Sequence, residues 1–135
     1  MEGMTSEGSE DSTDEEVSAA NAAFYEALEG GDLEGMVSVW SHTDDVQCAH
    51  PGRPPLRGWP DVLSSWQMIF ASSGFPQVIL TDEFVTRRQG IAWVTCTENM
   101  LSRGQTATAA ALNVFELIDG RWRMVAHHAG PLMTA

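Results

Sequence analysis

The sequence predicts an α+β fold in which three N-terminal helices pack on one face of a curved, mainly antiparallel sheet. Apolar residues recur at helical spacing in the first half of the chain, and β-type segments fill the second half. Short glycine-containing turns join these segments. Helices followed by consecutive strands favour separate layers, and 135 residues fit one such domain.

The first helix is predicted to begin near Asp14. Ser12 and Glu15 have the spacing of a capping box, and so do Thr13 and Glu16. One apolar stripe follows at helical spacing: Val17, Ala20, Phe24 and Leu28. A glycine pair then ends the helix.

Two further helices flank one early strand. Asp32 is expected to cap a short second helix. The segment DVQCAH, residues 45–50, alternates as a strand that places Cys48 and His50 on one face. Pro54 and Pro55 are expected to prevent strand pairing, and a third helix with Leu63, Trp66 and Phe70 on its buried face follows.

Four long strands are predicted in the second half of the chain, at residues 77–87, 91–101, 106–118 and 121–129. The turns between them are short, and the Asp119-Gly120 turn is a strong hairpin signal. These segments therefore predict a sequential antiparallel meander.

The negative charge is concentrated at the N-terminus. The chain has 19 acidic residues, 7 arginines and no lysine, and seven of the acids lie in the first sixteen residues. Residues 1–14 are predicted to be a disordered acidic tail and residues 15–132 a folded domain. An acidic chain without a basic stripe argues against nucleic-acid binding.

No signal peptide is expected, because the N-terminus is acidic and lacks an apolar stretch, and no membrane span is expected, because no apolar run is long enough. Two cysteines in such a sequence are expected to be reduced thiols, so the predicted location is cytoplasmic.

Four segments carry a resemblance to a known family: FYEALEGGDLEGMVSVW, DVQCAHPG, LRGWPDVLSSW and FELIDGRWRMVAHHAGP. Together they resemble the nuclear transport factor 2-like superfamily, and within it the SnoaL-like and ketosteroid-isomerase-like proteins, over roughly residues 16 to 132. The resemblance implies a cone-shaped pocket between sheet and helices, and commonly a homodimer formed through the sheet. Members include isomerases, cyclases, dehydratases and non-catalytic binding modules, so the fold does not select a reaction.

The catalytic set of a ketosteroid isomerase is not matched. Ketosteroid isomerases use an Asp base and a Tyr–Asp pair that binds an oxyanion. The only tyrosine here is Tyr25, and no such Tyr–Asp pair is matched residue by residue.

Two histidines are the candidate catalytic residues. An imidazole exchanges protons near neutral pH. His50 lies on the same strand face as Val46 and Cys48. His128 alternates in step with Trp122 and Met124, so it is expected on their face of its strand. His128 is therefore predicted to point into the pocket, with His127 on the other face. For both candidates, a purely structural role is the alternative.

Five residues are candidate substrate contacts. Either Glu98 or Asn99 must face inward, and an inward glutamate would have a raised pKa. Asn113 alternates with alanines that leave room for a ligand. Large aromatic side chains are candidate pocket walls or core: Trp40, Trp66 and Phe70. No metal site is predicted, because the cysteine and histidine spacings match none of the common zinc patterns.

Two functions are compatible with these residues. One is an enzyme without a cofactor that isomerises, cyclises or dehydrates an apolar small molecule by acid–base chemistry. The other is a non-catalytic dimeric module that binds a ligand or a protein.

Overall fold

The structure, a computed structural model, describes residues 13–72 and 74–133. The predicted acidic tail lies outside these residues except for Thr13 and Asp14. The helices are α1 (Asp14–Gly30), α2 (Leu33–Val39) and α3 (Trp59–Ala71). The strands are β1 (Gln47–Ala49), β2 (Leu56–Arg57), β3 (Gln77–Arg88), β4 (Ile91–Ser102), β5 (Gln105–Ile118) and β6 (Arg121–Pro131). The α+β prediction is confirmed.

Helix α1 begins at Asp14, as the capping pattern predicts. The Thr13 hydroxyl accepts a hydrogen bond from the Glu16 amide, and the Glu16 carboxylate accepts one from the Thr13 amide, each at 3.2 Å. The alternative pair includes Ser12, which lies outside the described residues. Gly31 ends the helix with a φ of 59°, and a Cβ there would overlap the Phe75 ring.

The six strands form one sheet in the order β2-β1-β6-β5-β4-β3. Strands β3 to β6 pair antiparallel as the predicted meander, and β1 pairs parallel with β6. Pro54 and Pro55 are unpaired, but the next residue, Leu56, begins β2 and pairs with Cys48 of β1. The prolines therefore delay strand pairing without preventing it.

Two β-bulges bend the sheet. In β3 the register shifts between Thr81 and Phe84, where Asp82 has a φ of 55°. In β6 the partners of Val114 and Phe115 are Ala126 and Met124, so Val125 is an extra residue. A bulge increases local twist, and it exchanges the faces to which the following side chains point.

The helices cover the inner face of the sheet, and the core lies between the two layers. Buried side chains from both layers form it, among them Phe24, Trp40, Trp66, Val94, Phe115 and Met124. The Arg87 guanidinium binds the Asp14 carboxylate at 2.7 Å and ties the start of α1 to β3. No helix within residues 13–72 and 74–133 has the length and apolarity needed to cross a membrane.

Candidate functional site

A cavity of about 430 Å³ lies between the proline-rich segment that follows β1 and the exposed side of α3. Its polar lining residues are His50, Arg53, Asp61, Ser64 and Ser65. Its apolar lining residues are Pro54, Leu56, Met68 and Ile69. A cavity of this volume that combines polar groups with apolar side chains is typical of small-molecule sites.

His50 is the candidate catalytic residue that lines this cavity. Its Nε2 atom lies 3.0 Å from Ser65 Oγ and 3.7 Å from Cys48 Sγ. Its ring packs edge-on against Trp66, with 4.8 Å between the ring centroids. Burial lowers the pKa of His50, and the nearby Arg53 guanidinium lowers it further. The ring is therefore neutral at neutral pH and suited to accept a proton.

Cys48 packs as a small apolar side chain. It is fully buried, and burial raises the pKa of its thiol to about 12. A thiol that stays protonated is a poor nucleophile and a poor metal ligand. Within the part of the chain that the structure describes, no three His, Cys, Asp or Glu side chains are grouped closely enough to hold a metal ion.

The prediction that His128 faces inward is wrong. His127 is 5% exposed and lies in the core, whereas His128 is exposed on the outer face opposite Leu112. The cause is the bulge in β6, because the extra residue Val125 reverses the alternation that begins at Trp122. His50 and His128 therefore do not share the cavity, and a proton exchange between them has no structural basis.

A buried chain of hydrogen bonds crosses the core beside His127. Asn113 Oδ1 lies 2.5 Å from His127 Nδ1, and Asn113 Nδ2 donates to Asn21 Oδ1 at 2.8 Å. Asn21 in turn donates to Glu83 at 3.1 Å. The Asn113 amide carries its donors on Nδ2, so Oδ1 accepts from Nδ1–H of His127. Burial lowers the pKa of His127 to about 3, with smaller contributions from the charges of His50 and His128.

Glu98, and not Asn99, is the inward residue of its pair. Glu98 is 3% exposed and accepts a hydrogen bond from the Tyr25 hydroxyl at 2.6 Å. Burial raises the pKa of Glu98, although the bond from Tyr25 opposes this. Asn99 lies on the outer side of β4 and donates to Ile79 O and to Thr81 Oγ1.

The candidate substrate contacts lie behind the cavity, in the core. Trp40 and Asn113 are fully buried, and Trp66 is 2% exposed. Trp66 packs against Phe24 on one side and against His50, which lines the cavity, on the other. Phe70 is half-buried against Trp66. None of the five predicted substrate contacts lines the 430 Å³ cavity.

A second groove, of about 540 Å³, lies outside the core between α1, α2 and the β5–β6 turn. Its floor is formed by small side chains of α1, among them Ala19, Ala20 and Ala23. In the part of the chain that the structure describes, its lining includes no histidine and none of the candidate residues. The smaller cavity at His50 is therefore the better candidate site.

Sequence reasoning missed the roles of Asn21 and His127. Asn21 stands four residues after Val17 and is fully buried, so an amide within the apolar stripe of α1 was the available signal. No comparable signal exists for His127, because its direction depends on the bulge.

Comparison with known proteins agrees with the fold. Residues 17–134 match the family model described as a SnoaL-like domain. A proposed dehydratase of the NTF2-like family from Streptomyces avermitilis is 40% identical, with a TM-score of 0.83, over 89% of this chain and 96% of that one. A proposed calcium/calmodulin-dependent protein kinase type II association domain from Thiobacillus denitrificans is 31% identical, with a TM-score of 0.79, over 86% of this chain and 94% of that one.

A curated plant protein is also similar. F-box protein SKIP8 of Arabidopsis thaliana is 32% identical over 123 residues. The match covers 85% of this chain but only 49% of that relative, so this chain spans about half its length. The family model covers most of the described residues, and the fold and the relatives agree with it. The chain therefore belongs to the SnoaL-like domain family of the nuclear transport factor 2-like superfamily.

Proposed function

We propose that this SnoaL-like domain binds an apolar small molecule in the 430 Å³ cavity and that His50 acts on it as a base. The observation that carries the proposal is the position of the imidazole. Among the described residues, His50 is the only histidine that lines this cavity, and its pKa is lowered, so its ring is neutral at neutral pH. The apolar lining side chains, such as Leu56 and Ile69, favour a ligand with a hydrocarbon body.

The reaction class follows from what one neutral imidazole does. Removing a proton from carbon or oxygen begins an isomerisation, a cyclisation or a dehydration. The similarity to the Streptomyces avermitilis protein, a proposed dehydratase, favours the last of these. The buried groups Glu98, Asn113 and His127 are given no part in this scheme, since none of them lines the cavity.

The proposal is tested by a thermal-shift screen of apolar ketones, lactones and alcohols. A ligand that binds only the native state raises the melting temperature. We expect stabilisation of the wild-type chain, loss of it in His50→Ala, and retention in His128→Ala, the matched control on the outer face. Equal stabilisation of both variants would show that His50 does not contribute to ligand binding. Absence of any response across the panel would count against the cavity as a ligand site.

A second proposed role of the domain is association with another copy of the chain through the sheet, and a specific observation favours it. Several large apolar side chains are exposed on the outer face of the meander: Ile79, Phe84, Ile91, Leu101 and Leu112. An exposed apolar patch of this kind marks an interaction surface. The Thiobacillus denitrificans relative is described as an association domain, which agrees with this use of the face.

A further inference from the structure

The single hydrogen of the Ser65 hydroxyl group takes part in a hydrogen bond within α3. Ser65 lies in α3, and its Oγ donates to the carbonyl oxygen of Val62 at 2.7 Å. A serine hydroxyl carries one donor and two acceptor lone pairs. Toward His50 Nε2, at 3.0 Å, Oγ is therefore left only as an acceptor. A short contact of this kind requires a hydrogen on Nε2.

Cys48 is the one rival partner of Nε2 among the described residues. Its Sγ lies 3.7 Å from the same nitrogen, and a thiol S–H pointing there would require Nε2 to be unprotonated. In that case the Nε2 lone pair would face a lone pair of Ser65 Oγ at 3.0 Å. Oxygen is a good acceptor and S–H is a weak donor, so the Nε2–H arrangement prevails.

The other ring nitrogen of His50, Nδ1, is free to bind a partner from outside the core. Within residues 13–72 and 74–133, His50 Nδ1 makes no hydrogen bond, and it is absent from the buried unpartnered atoms of these residues. The ring is only partly buried and lines the cavity. In the neutral Nε2–H tautomer, Nδ1 carries an unshared pair and acts as an acceptor.

We propose that Ser65 is a positioning residue that holds His50 as the Nε2–H tautomer, so that the cavity selects ligands bringing a hydroxyl or N–H group to Nδ1. This inference rests on the proposed function, because it concerns the ligand of the same cavity. A ketone, a lactone or an ether offers only acceptors and finds no partner in Nδ1. When the base acts, the proton of the ligand passes to Nδ1, and Nε2–H stays on Ser65.

The tautomer is measured without any ligand. Long-range proton–nitrogen correlation spectra of the full chain with ¹⁵N-labelled histidine distinguish the two nitrogens, and the His50 signals are assigned by their loss in His50→Ala. We expect Nε2–H in the wild type. In Ser65→Ala only the Cys48 thiol remains beside Nε2, so the Nδ1–H form should gain population.

Two controls separate positioning from a general disturbance of α3. Ser65→Thr keeps the hydroxyl group and should keep the Nε2–H form. Ser64→Ala changes a neighbouring serine that lines the cavity but has no bond to His50, and it should leave the tautomer unchanged. An Nδ1–H form in the wild type, or an unchanged tautomer in Ser65→Ala, overturns the proposal.

The ligand preference is measured with one carbon skeleton in three forms: 2-tetralol, 2-tetralone and the methyl ether of 2-tetralol. One hydrogen bond predicts about five-fold tighter binding of the alcohol to the wild type, and a smaller preference in Ser65→Ala. Equal binding of all three compounds overturns the selectivity while the cavity stays a ligand site. If none of them binds, the proposed function falls and the selectivity with it, whatever the tautomer.

Discussion

The hydroxyl group of Tyr25 donates a 2.6 Å hydrogen bond to the carboxyl group of Glu98, and so joins the middle of α1 to the middle of β4. Both side chains are almost fully buried, and burial raises the pKa of each. Asn113 donates to the same tyrosine oxygen at 3.1 Å and connects this pair to His127. The bond therefore belongs to a polar network that fixes the helix on the sheet.

Tyr25→Phe is expected to destabilise the protein. The substitution keeps the ring but leaves the buried Glu98 carboxyl group without its donor, and Asn113 loses an acceptor. A buried polar group without its partner costs about 1 to 3 kcal/mol of unfolding free energy. Urea denaturation measures the change. Glu98→Gln, which still accepts from Tyr25, should cost less, and a Tyr25→Phe variant as stable as the wild type would show that the network contributes nothing.

Glu98 should also make stability depend on pH. Burial raises its folded pKa above the ordinary value of 4.5, so above that pH the native state binds more protons than the unfolded chain. Stability contributed by this group therefore falls as pH rises from the ordinary pKa through the raised folded pKa. In Glu98→Gln this slope is absent.

The measurement compares wild type with Glu98→Gln by urea denaturation from about pH 4 to about pH 8. The wild-type stability minus that of the variant should decrease with pH and then become constant. A difference that increases with pH would mean that the folded pKa of Glu98 is lowered.

His127 should contribute a slope of the opposite sign. Its pKa falls from 6.5 to about 3 on folding. Between these pH values His127 is therefore mostly protonated in the unfolded chain and mostly neutral in the native state. The stability that this provides is complete above the ordinary pKa and is lost as pH falls toward the folded one. His127→Asn keeps a donor for Asn113 and removes the titrating group.

His128→Asn is the matched control, because it makes the same change one residue further on the exposed face. As pH falls below about 6, the advantage of wild type over His127→Asn should shrink. At neutral pH the surface change His128→Asn should cost less stability than the buried change His127→Asn. An advantage over His127→Asn that grows as pH falls would mean that folding does not lower the pKa of His127.

The elements that the sequence predicts well are those specified by local chemistry. The capping residues Thr13 and Glu16 mark the start of α1, and Asp119-Gly120 marks the last hairpin, because each acts within four residues. The pattern of residues 45–50 also predicts that Cys48 and His50 share one face, and their side chains do lie together, with 3.7 Å between Sγ and Nε2.

The site residues were less predictable because they depend on long-range register. One extra residue, Val125, turns His127 inward and His128 outward. No local sequence pattern predicts this bulge. The partner of His50 is Ser65, fifteen residues away on another element, and only the packing of α3 against β1 brings the two together. Aromatic residues at helical spacing, such as Trp66, indicate burial but do not distinguish a ligand wall from the core.

The outer face of the sheet is expected to form the homodimer interface, and Leu112→Arg should disrupt it. Leu112 lies in β5, is 41% exposed, and has His128 as its neighbour on β6. A symmetric interface would bury two such positions, so an arginine at each places unpaired charge within an apolar patch. Sedimentation velocity at micromolar concentration should show a wild-type dimer and a Leu112→Arg monomer, with unchanged far-ultraviolet circular dichroism. Ala22→Arg, on an exposed position of α1, is the control and should remain dimeric. A wild-type monomer would contradict the homodimer, and a Leu112→Arg dimer would show that its interface does not include Leu112.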